Sequence, residues 1–413
     1  MSKLNDLIAR LCPDGIEWKK LGEVISLSKG VQFNKSDMQD VGTFPVINGG
    51  INPSGYIEKY NQSENTITIS QGGASAGYVN WLSTKFWAGA HCYIVKPSDN
   101  VINRYVFHFL KSQERKLQEC QYGAGIPALS KATIENLLIP VPPLEVQREI
   151  VRILDSFTEL TAELTAELTA RQKQYEYYRD LLLTFDGQST QFLQTTDDRR
   201  QTTDDRRQTT QNSVPRIKLG EIATEIFRGF GITREQVTAT GVPCVRYGEI
   251  YTTYGVYFDK CVSHTSIEKI ANPKYFEHGD ILFVITGEKV EDIAKSTAYI
   301  GNEKCLAGGD IVVLKHSQNP KYLSYVLATS DAVWQKTKCK VKSKVVHSSV
   351  PAIKEIEIPL PSLEEQERIV KILDRFYKLC NDLSEGLPAE IEARQKQYEY
   401  YRDKLLLFGN KQV

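Results

Sequence analysis

No stretch of this 413-residue chain approaches the roughly 18 consecutive apolar residues of a membrane-spanning helix. Its first residues also lack the apolar core of a secretory leader. A cytoplasmic protein is the expectation, which the cysteines support. The eight cysteines (Cys12, Cys92, Cys120, Cys244, Cys261, Cys305, Cys339 and Cys380) include no C-x-x-C pair. Neither a disulfide framework nor a zinc site is expected, and the thiols should stay free in a reducing compartment. The histidines at 91, 108, 264, 278, 316 and 347 show no metal-ligand spacing. G-x-S-x-G, H-E-x-x-H and a complete Walker motif are all missing, which argues against a self-sufficient catalyst. Formal net charge is zero, so there is no overall basic field. The balance is uneven, however. Residues 1–138 and 213–357 are mildly basic and the remainder is acidic, a split compatible with two DNA-facing lobes on a neutral scaffold.

What the chain has instead is repetition. Ala-Arg-Gln-Lys-Gln-Tyr-Glu-Tyr-Tyr-Arg-Asp runs from Ala170 to Asp180 and again, unchanged, from Ala393 to Asp403. Upstream, Ile139 to Asp155 is echoed by Ile358 to Asp374. The chain is therefore a tandem duplication in which each half is a non-repeated segment followed by one helical module. Each module opens with prolines, which cannot sit in mid-helix. In the second, Ser362 with Glu365 reads as a capping box. Apolar residues at Ile150, Ile153, Leu154, Phe157, Leu160, Leu164 and Leu168 have the spacing of one helical face. Tyr175, Tyr178, Leu182 and Phe185 continue it as a heptad-like seam, matched by Tyr398, Tyr401, Leu405 and Phe408. A helix from Leu144 to Phe185 would be about 60 Å long and needs a partner. The two modules are expected to pack antiparallel about a pseudo-two-fold axis.

Two complete Thr-Ala-Glu-Leu units, Thr161–Leu164 and Thr165–Leu168, lie inside the first helix. The corresponding gap in the second module, Phe376 to Arg394, is four residues longer than Phe157 to Arg171. That difference is one unit, or about 6 Å of helix. The repeat reads either as a ruler that lengthens in steps or as good helix-forming filler.

In the first variable segment, Thr66–Ser70 reads as a strand running into the glycine-rich loop Gln71–Gly77. Trp87–Val95 reads as a further strand and Arg104–Leu117 as a helix. The loop could cradle a phosphate, but without a following Lys-Ser/Thr a plain tight turn is favoured. Residues 186–212 carry two wholly polar copies of Thr-Thr-Asp-Asp-Arg-Arg-Gln and read as an exposed linker or a solvated helix extension. The second variable segment restarts as the first did: Arg216–Ile222 echoes Trp18–Val24, and Phe227-Arg-Gly229 echoes Ser28-Lys-Gly30. Phe227–Gly231 also fits F-x-G-x-G, a cofactor-loop pattern of adenine methyltransferases, with Asn272-Pro-Lys-Tyr275 a partial second motif that lacks the expected second proline. Lys336, Lys338, Lys340, Lys342 and Lys344 alternate with other residues, so an extended chain would put all five on one face. Such a row could track a phosphate backbone or protect an edge strand. Polar and basic residues in these stretches are the candidate DNA contacts: Lys29, Gln71, Ser75 and Lys85, then Arg228, Arg246, Lys338, Lys340, Lys342 and Lys344.

These features together resemble the specificity subunit of type I restriction-modification systems. Pro142-Pro-Leu-Glu-Val-Gln147, Pro361-Ser-Leu-Glu-Glu-Gln366 and the repeated Arg-Gln-Lys-Gln-Tyr-Glu-Tyr-Tyr-Arg-Asp carry the resemblance, and Thr-Ala-Glu-Leu is similar to the spacer repeat of the type IC subgroup. The polar tandem-repeat linker departs from the family's usual pattern. The resemblance implies an α+β fold with target recognition domains at 1–138 and 213–357, spacer helices at 139–185 and 358–413, and the linker 186–212 between them. Each domain would read half of a bipartite double-stranded DNA site. The helices would pair antiparallel through the Tyr175, Tyr178, Leu182 and Tyr398, Tyr401, Leu405 seams. Arg171, Lys173, Arg179, Arg394, Lys396 and Arg402 would face two modification (methyltransferase) subunits. Those partners would hold S-adenosylmethionine, this chain binding no cofactor, and restriction (motor-nuclease) subunits would join them. Two other readings stay open: a coiled-coil adaptor whose lobes bind proteins, and a methyltransferase using Phe227–Gly231.

Overall fold

The computed structural model describes residues 2–122, 127–185, 214–287, 293–338, 346–382 and 385–408. The polar linker at 186–212 lies outside them. The chain forms two compact units, Met1–Ala166 with Ala389–Val413, and Glu167–Pro388. Their boundary falls inside the first helical module, not at its ends. Each unit therefore contains one variable segment, part of the first module and part of the second.

In the first unit, β1 (Trp18–Lys20) pairs antiparallel with β9 (Leu138–Pro140) and closes the variable segment on itself. Between them β2 (Ile25–Lys29), β8 (Cys92–Pro97), β5 (Thr66–Ser70) and β6 (Val79–Leu82) form, in that order, an antiparallel sheet. A second sheet has the order β4 (Tyr56–Ile57), β3 (Phe44–Ile47), β7 (Trp87–Ala88), with β3 and β7 parallel. The strand expected over Trp87–Val95 is thus broken by a turn at residues 89–91 that moves the chain from one sheet to the other. The helix expected over Arg104–Leu117 is likewise two pieces, Asn103–Ser112 and Glu114–Glu119.

The second unit repeats this plan. Strands β10 (Arg216–Lys218) and β23 (Glu357–Pro359) close the segment. The main sheet runs β11 (Ala223–Arg228), β21 (Ile311–His316), β17 (Ile281–Val284), β19 (Ser296–Tyr299), β14 (Tyr257–Phe258). The second runs β12 (Val237–Thr238), β15 (Ser263–Thr265), β13 (Val242–Val245), β20 (Cys305–Ala307), β16 (Tyr275–Phe276), with β13 and β20 parallel. A small ribbon pairs β18 (Thr286–Gly287) with β22 (Val346–His347). The order β2-β8-β5-β6 recurs as β11-β21-β17-β19, and β4-β3-β7 as β15-β13-β20. Sequences that scarcely match have folded on one topology, because each keeps fully buried central strands such as Ile67–Ile69 and Ile281–Val284.

The repeated Pro-x-Leu-Glu-x-Gln motif is a staple. Gln147 and Gln366 are completely buried. Gln147 Oε1 accepts from the Ile102 amide at 2.8 Å, while its Nε2 donates to the Asn100 and Pro142 carbonyls at 3.1 and 2.8 Å. Gln366 repeats this with the Asn319 amide (3.1 Å), Gln318 Oε1 (2.9 Å) and the Pro361 carbonyl (2.9 Å). Each glutamine fixes its helix to the loop that starts the variable segment's own helix. At Ser362 half of the expected capping box forms: its hydroxyl accepts from the Glu365 amide at 3.4 Å, but the Glu365 carboxylate is held by Arg368 at 2.8 Å.

The first module is one helix, Leu144–Thr184. The second is not. It is Leu363–Asn381 followed by Leu387–Leu406, which corrects the expectation of two long uninterrupted helices. The extra residues of the second module hold Gly386 and Pro388, and these break it. The Gly386 amide closes a turn on the Asp382 carbonyl at 3.0 Å, and Pro388 can only begin a new helix.

Helix packing follows the seam residues. In the second unit the Tyr175 ring is 6.1 Å from the Tyr377 ring, and Tyr178 stacks on Phe376 at 6.2 Å. Position numbers rise in one helix as they fall in the other, so the pair is antiparallel. In the first unit Tyr401 stacks on Phe157 at 5.3 Å, and buried Leu405 and Leu406 join the core around Ile150 and Leu154. Beneath this contact lies a polar chain. The Tyr398 hydroxyl meets His108 Nδ1 at 3.0 Å, His108 Nε2 meets Asp155 at 2.8 Å, and Arg104 pairs with the same carboxylate at 2.7 Å. The second unit substitutes Tyr325 and Lys321, which hold Asp374 at 2.6 and 2.7 Å.

Two outcomes are expected. Gln366→Ala leaves buried groups without partners and should destabilise the second unit by about 1–3 kcal/mol in urea unfolding. His316, in the same unit, has its pKa lowered to about 4, chiefly by burial. Between that value and the ordinary value near 6.5 the unfolded chain binds the extra proton, so His316 weakens the unit as pH falls through this window and has no effect above it. His316→Asn should unfold with a visibly flatter pH dependence from about pH 6.5 to 4.5 than the parent chain.

Candidate nucleic-acid interface

Both units build the same loop cluster at the turn that links the two sheets. In the first, the turn between β7 and β8 is gripped from three sides. Gly30 and Val31 donate to the Cys92 and Ala88 carbonyls at 3.2 and 2.8 Å; Gly89 donates to Ile47 at 2.8 Å; Gln71 donates to His91 at 2.9 Å. In the second, Gly229 and Phe230 donate to Ile311 and Ala307 at 2.8 and 3.0 Å; Gly308 donates to Val245 at 2.9 Å; Ile285 donates to Asp310 at 3.0 Å. The backbone frame is shared. The side chains it carries are not: Lys29, Asn48, Gln71 and His91 in one unit stand where Arg228, Arg246, Ile285 and Asp310 stand in the other.

This frame explains the glycines. A Cβ on Gly30 would collide with the carbonyls of Ala88 and Gly89, and one on Gly229 with those of Ala307 and Gly308. The F-x-G-x-G match at Phe227–Gly231 thus has a packing reason, which recurs at Gly30 where the rest of the pattern is absent. The loop Gln71–Gly77 is a tight turn. Gly73 and Gly77 adopt positive φ of 83° and 88°, and the Gly73, Ala76 and Gly77 amides go to the Pro127, Gly73 and Ser70 carbonyls.

The proposed DNA-contact residues divide accordingly. Lys29, exposed at the end of β2, and Gln71 belong to the first unit's cluster, and half-buried Ser75 lies in the adjoining turn. Lys85 stands before β7, away from the turn, with its ammonium 4.7 Å above the Tyr60 ring. Arg228 and Arg246 come together in the second unit, lining a cavity of about 350 Å³ with Phe230, Tyr247 and the glycines 229, 231, 308 and 309. Arg228 donates through Nε to the Gly309 carbonyl and through Nη2 to Asp310 at 2.7 Å. Arg246 pairs with Glu249 at 3.0 Å, and Ser263 donates to the same carboxylate oxygen at 2.6 Å.

The extended lysine row does not hold where the structure describes it. Lys336 sits in the helix Ser330–Thr337 and is buried, its ammonium donating to the Leu327 carbonyl at 2.8 Å and Ser296 Oγ at 3.1 Å. Burial lowers its pKa to about 7. Lys338 caps that helix, with its ammonium 3.6 Å above the exposed Trp334 ring. Helical periodicity through Ala332, Val333 and Lys336 overrides the alternation. Lys340, Lys342 and Lys344 lie outside the described residues.

On the helices Tyr175, Leu182, Tyr398 and Leu405 are buried in the seam, and Tyr178 and Tyr401 stack at its edge. Arg171, Lys173 and Lys396 are exposed and Arg394 half-buried; Arg171, Arg394 and Lys396 pair with Glu167, Glu390 and Glu392 one turn earlier. Arg179 and Arg402 are mostly covered and fold onto Asp180 and Asp403 at 2.7 and 2.9 Å, across the Tyr175 and Tyr398 rings. The sequence reading missed Tyr177 and Tyr400, which are 63% and 61% exposed. Their recurrence off the seam periodicity, in two identical copies, was the available signal.

The type I restriction modification DNA specificity domain family matches residues 13–171 and 217–393. This chain belongs to that family. A Haemophilus influenzae protein described as a type I restriction enzyme specificity subunit is 31% identical over 410 residues, spanning 95% of this chain and 96% of its own. The Escherichia coli EcoR124I/EcoR124II specificity subunit is 29% identical over 424 residues, spanning 99% and 98%. In fold, the chain is similar to the type I S subunit of M. genitalium, with a TM-score of 0.54, 19% identity and coverage of 95% and 96%.

Among the glycines of the cluster, Gly229→Ala should destabilise the second unit by about 1–3 kcal/mol in urea titration, since backbone must move to admit the methyl group. Gly231→Ala, with open space around the new atom, should stay within about 0.5 kcal/mol of the parent.

Proposed function

We propose that this chain is the DNA-recognition subunit of a cytoplasmic type I restriction-modification complex. The variable domains at 1–138 and 213–357 each read one half of a bipartite duplex site. The modules at 139–185 and 358–413 dock two modification subunits, and motor-nuclease subunits join for restriction. The chain supplies sequence recognition and no catalysis; S-adenosylmethionine belongs to the modification subunits. One observation carries this reading: a single backbone frame occurs twice with unlike side chains at the cluster, while the helical motif Ala-Arg-Gln-Lys-Gln-Tyr-Glu-Tyr-Tyr-Arg-Asp is identical in both copies. Unlike clusters suit two different targets, and identical helix surfaces suit two copies of one partner.

The Thr-Ala-Glu-Leu repeat supports a place in the type IC subgroup, with copy number setting the unread spacing between half-sites. Leu164 and Leu168 are half-buried and the other residues of the two units are mostly exposed. Further units would therefore extend the helix with little repacking.

The test is methylome sequencing of a methylation-free host expressing this chain with its neighbouring modification subunit. A single bipartite motif with N6-methyladenine on both strands, lost when this chain is omitted, is the expected result. Adding one Thr-Ala-Glu-Leu unit should widen the spacer and leave both half-sites unchanged. Methylation that persists unchanged without this chain would overturn the reading.

A further inference from the structure

The cavity in the second unit holds two arginines, each tied to a carboxylate. In Arg246 the Nε edge is tied to Glu249, whose carboxylate is itself buried and bonded to Ser263 and to the Arg246 amide at 3.0 Å. In Arg228 the Nε and Nη2 groups are tied to the Gly309 carbonyl and Asp310. Among the described residues nothing bonds to Nη1 of either arginine. Each guanidinium is thus anchored along one side and presents its outer donors. An unanchored surface arginine would lose rotamer entropy on binding; Arg246, held by a buried carboxylate, has the less to lose, and Arg228 is tied at two donors though its side chain is 58% exposed.

The surroundings suit a flat, polar edge. Four of the lining residues are glycines, at 229, 231, 308 and 309, so a ligand meets backbone without side-chain obstruction. Phe230 and Tyr247 are 37% and 46% exposed and stand ready for apolar contact with a base or a thymine methyl. Asp310 and Glu249 beside the arginines disfavour a phosphate, which a bare cationic pocket would attract.

We infer that the carboxylate-anchored pair Arg228 and Arg246 reads guanine edges in the major groove, so that the half-site read by the second domain contains at least one G·C pair fixed by this cavity. Arginine offers O6 and N7 of guanine two parallel donors, and no other base presents two acceptors there. The first unit carries Lys29 and Asn48 at the corresponding places, and the Asn48 side chain is engaged with the His91 amide at 3.3 Å. Its half-site is read by different chemistry. This inference rests on the recognition role proposed above.

The experiment compares methylomes of the assembled complex carrying the parent chain, Arg228→Gln or Arg246→Gln, with Asp310→Asn and Glu249→Gln as variants that loosen the anchor alone. The parent tests the recognition role itself, because absence of any bipartite motif would defeat that role and this inference with it. Given a parent motif, one half-site should contain guanine, and each arginine variant should reduce discrimination at one G·C position about tenfold or more. The other half-site should stay unchanged, and the matching anchor variant should relax the same position by less. Half-sites without a specified G·C pair, no change in the variants, or a uniform fall at all sequences with a shallower salt dependence, as for a phosphate contact, would each overturn it. If a variant loses methylation altogether, competition binding of the assembled complex with duplexes altered one position at a time decides. Loss of all sequence preference there also overturns the assignment.

Discussion

A 41-residue helix cannot bury its own apolar face, and the rest of this molecule is arranged around that constraint. Ile150, Leu154 and Phe157 at its start are covered in the first unit by Tyr401, Leu405 and Leu406 from the end of the second module. Tyr175, Tyr178 and Leu182 at its end are covered in the second unit by Leu373, Phe376 and Tyr377. Neither module completes a unit from its own residues. The duplication is therefore structural, with each copy supplying what the other copy's half lacks.

The same exchange brings polar groups into the interior. His108 is held between the Tyr398 hydroxyl and the Asp155 carboxylate, and its burial lowers its pKa. Burial alone would raise the pKa of Asp155, but hydrogen bonds from His108 and Arg104 outweigh it and hold the carboxylate below its ordinary value. A satisfied buried network of this kind fixes one register of the helices over a shifted one. The second unit uses Tyr325, Asp374 and Lys321 for the same purpose.

Where the helices demand identity, the loop cluster permits variation. Its backbone is set by carbonyl-to-amide contacts and by glycines that admit no side chain, so the residues between those fixed points can change without cost to the frame. Lys29 against Arg228 and His91 against Asp310 are such changes. A recognition surface that must diverge while its fold persists is best built in this way.

The helix seam, the duplication and the family were legible in the sequence, because 3.6-residue periodicity and exact repetition are local properties of the chain. The pairing of Arg228 with Asp310 and of Arg246 with Glu249 was not fully legible. Asp310 lies 82 residues from Arg228 and reaches it only once β21 has paired with β11. The break at Gly386 was readable from Gly and Pro yet masked by the strength of the repeat. The lysine row misled because alternation over a few residues is compatible with either strand or helix, and the apolar contacts of the helix Ser330–Thr337 decide between them. Local pattern determined which segments are helices and that the chain is double. Long-range pairing alone decided which of the scattered polar residues share a cavity, since that depends on sheet order, and sheet order is not written in any short stretch of sequence.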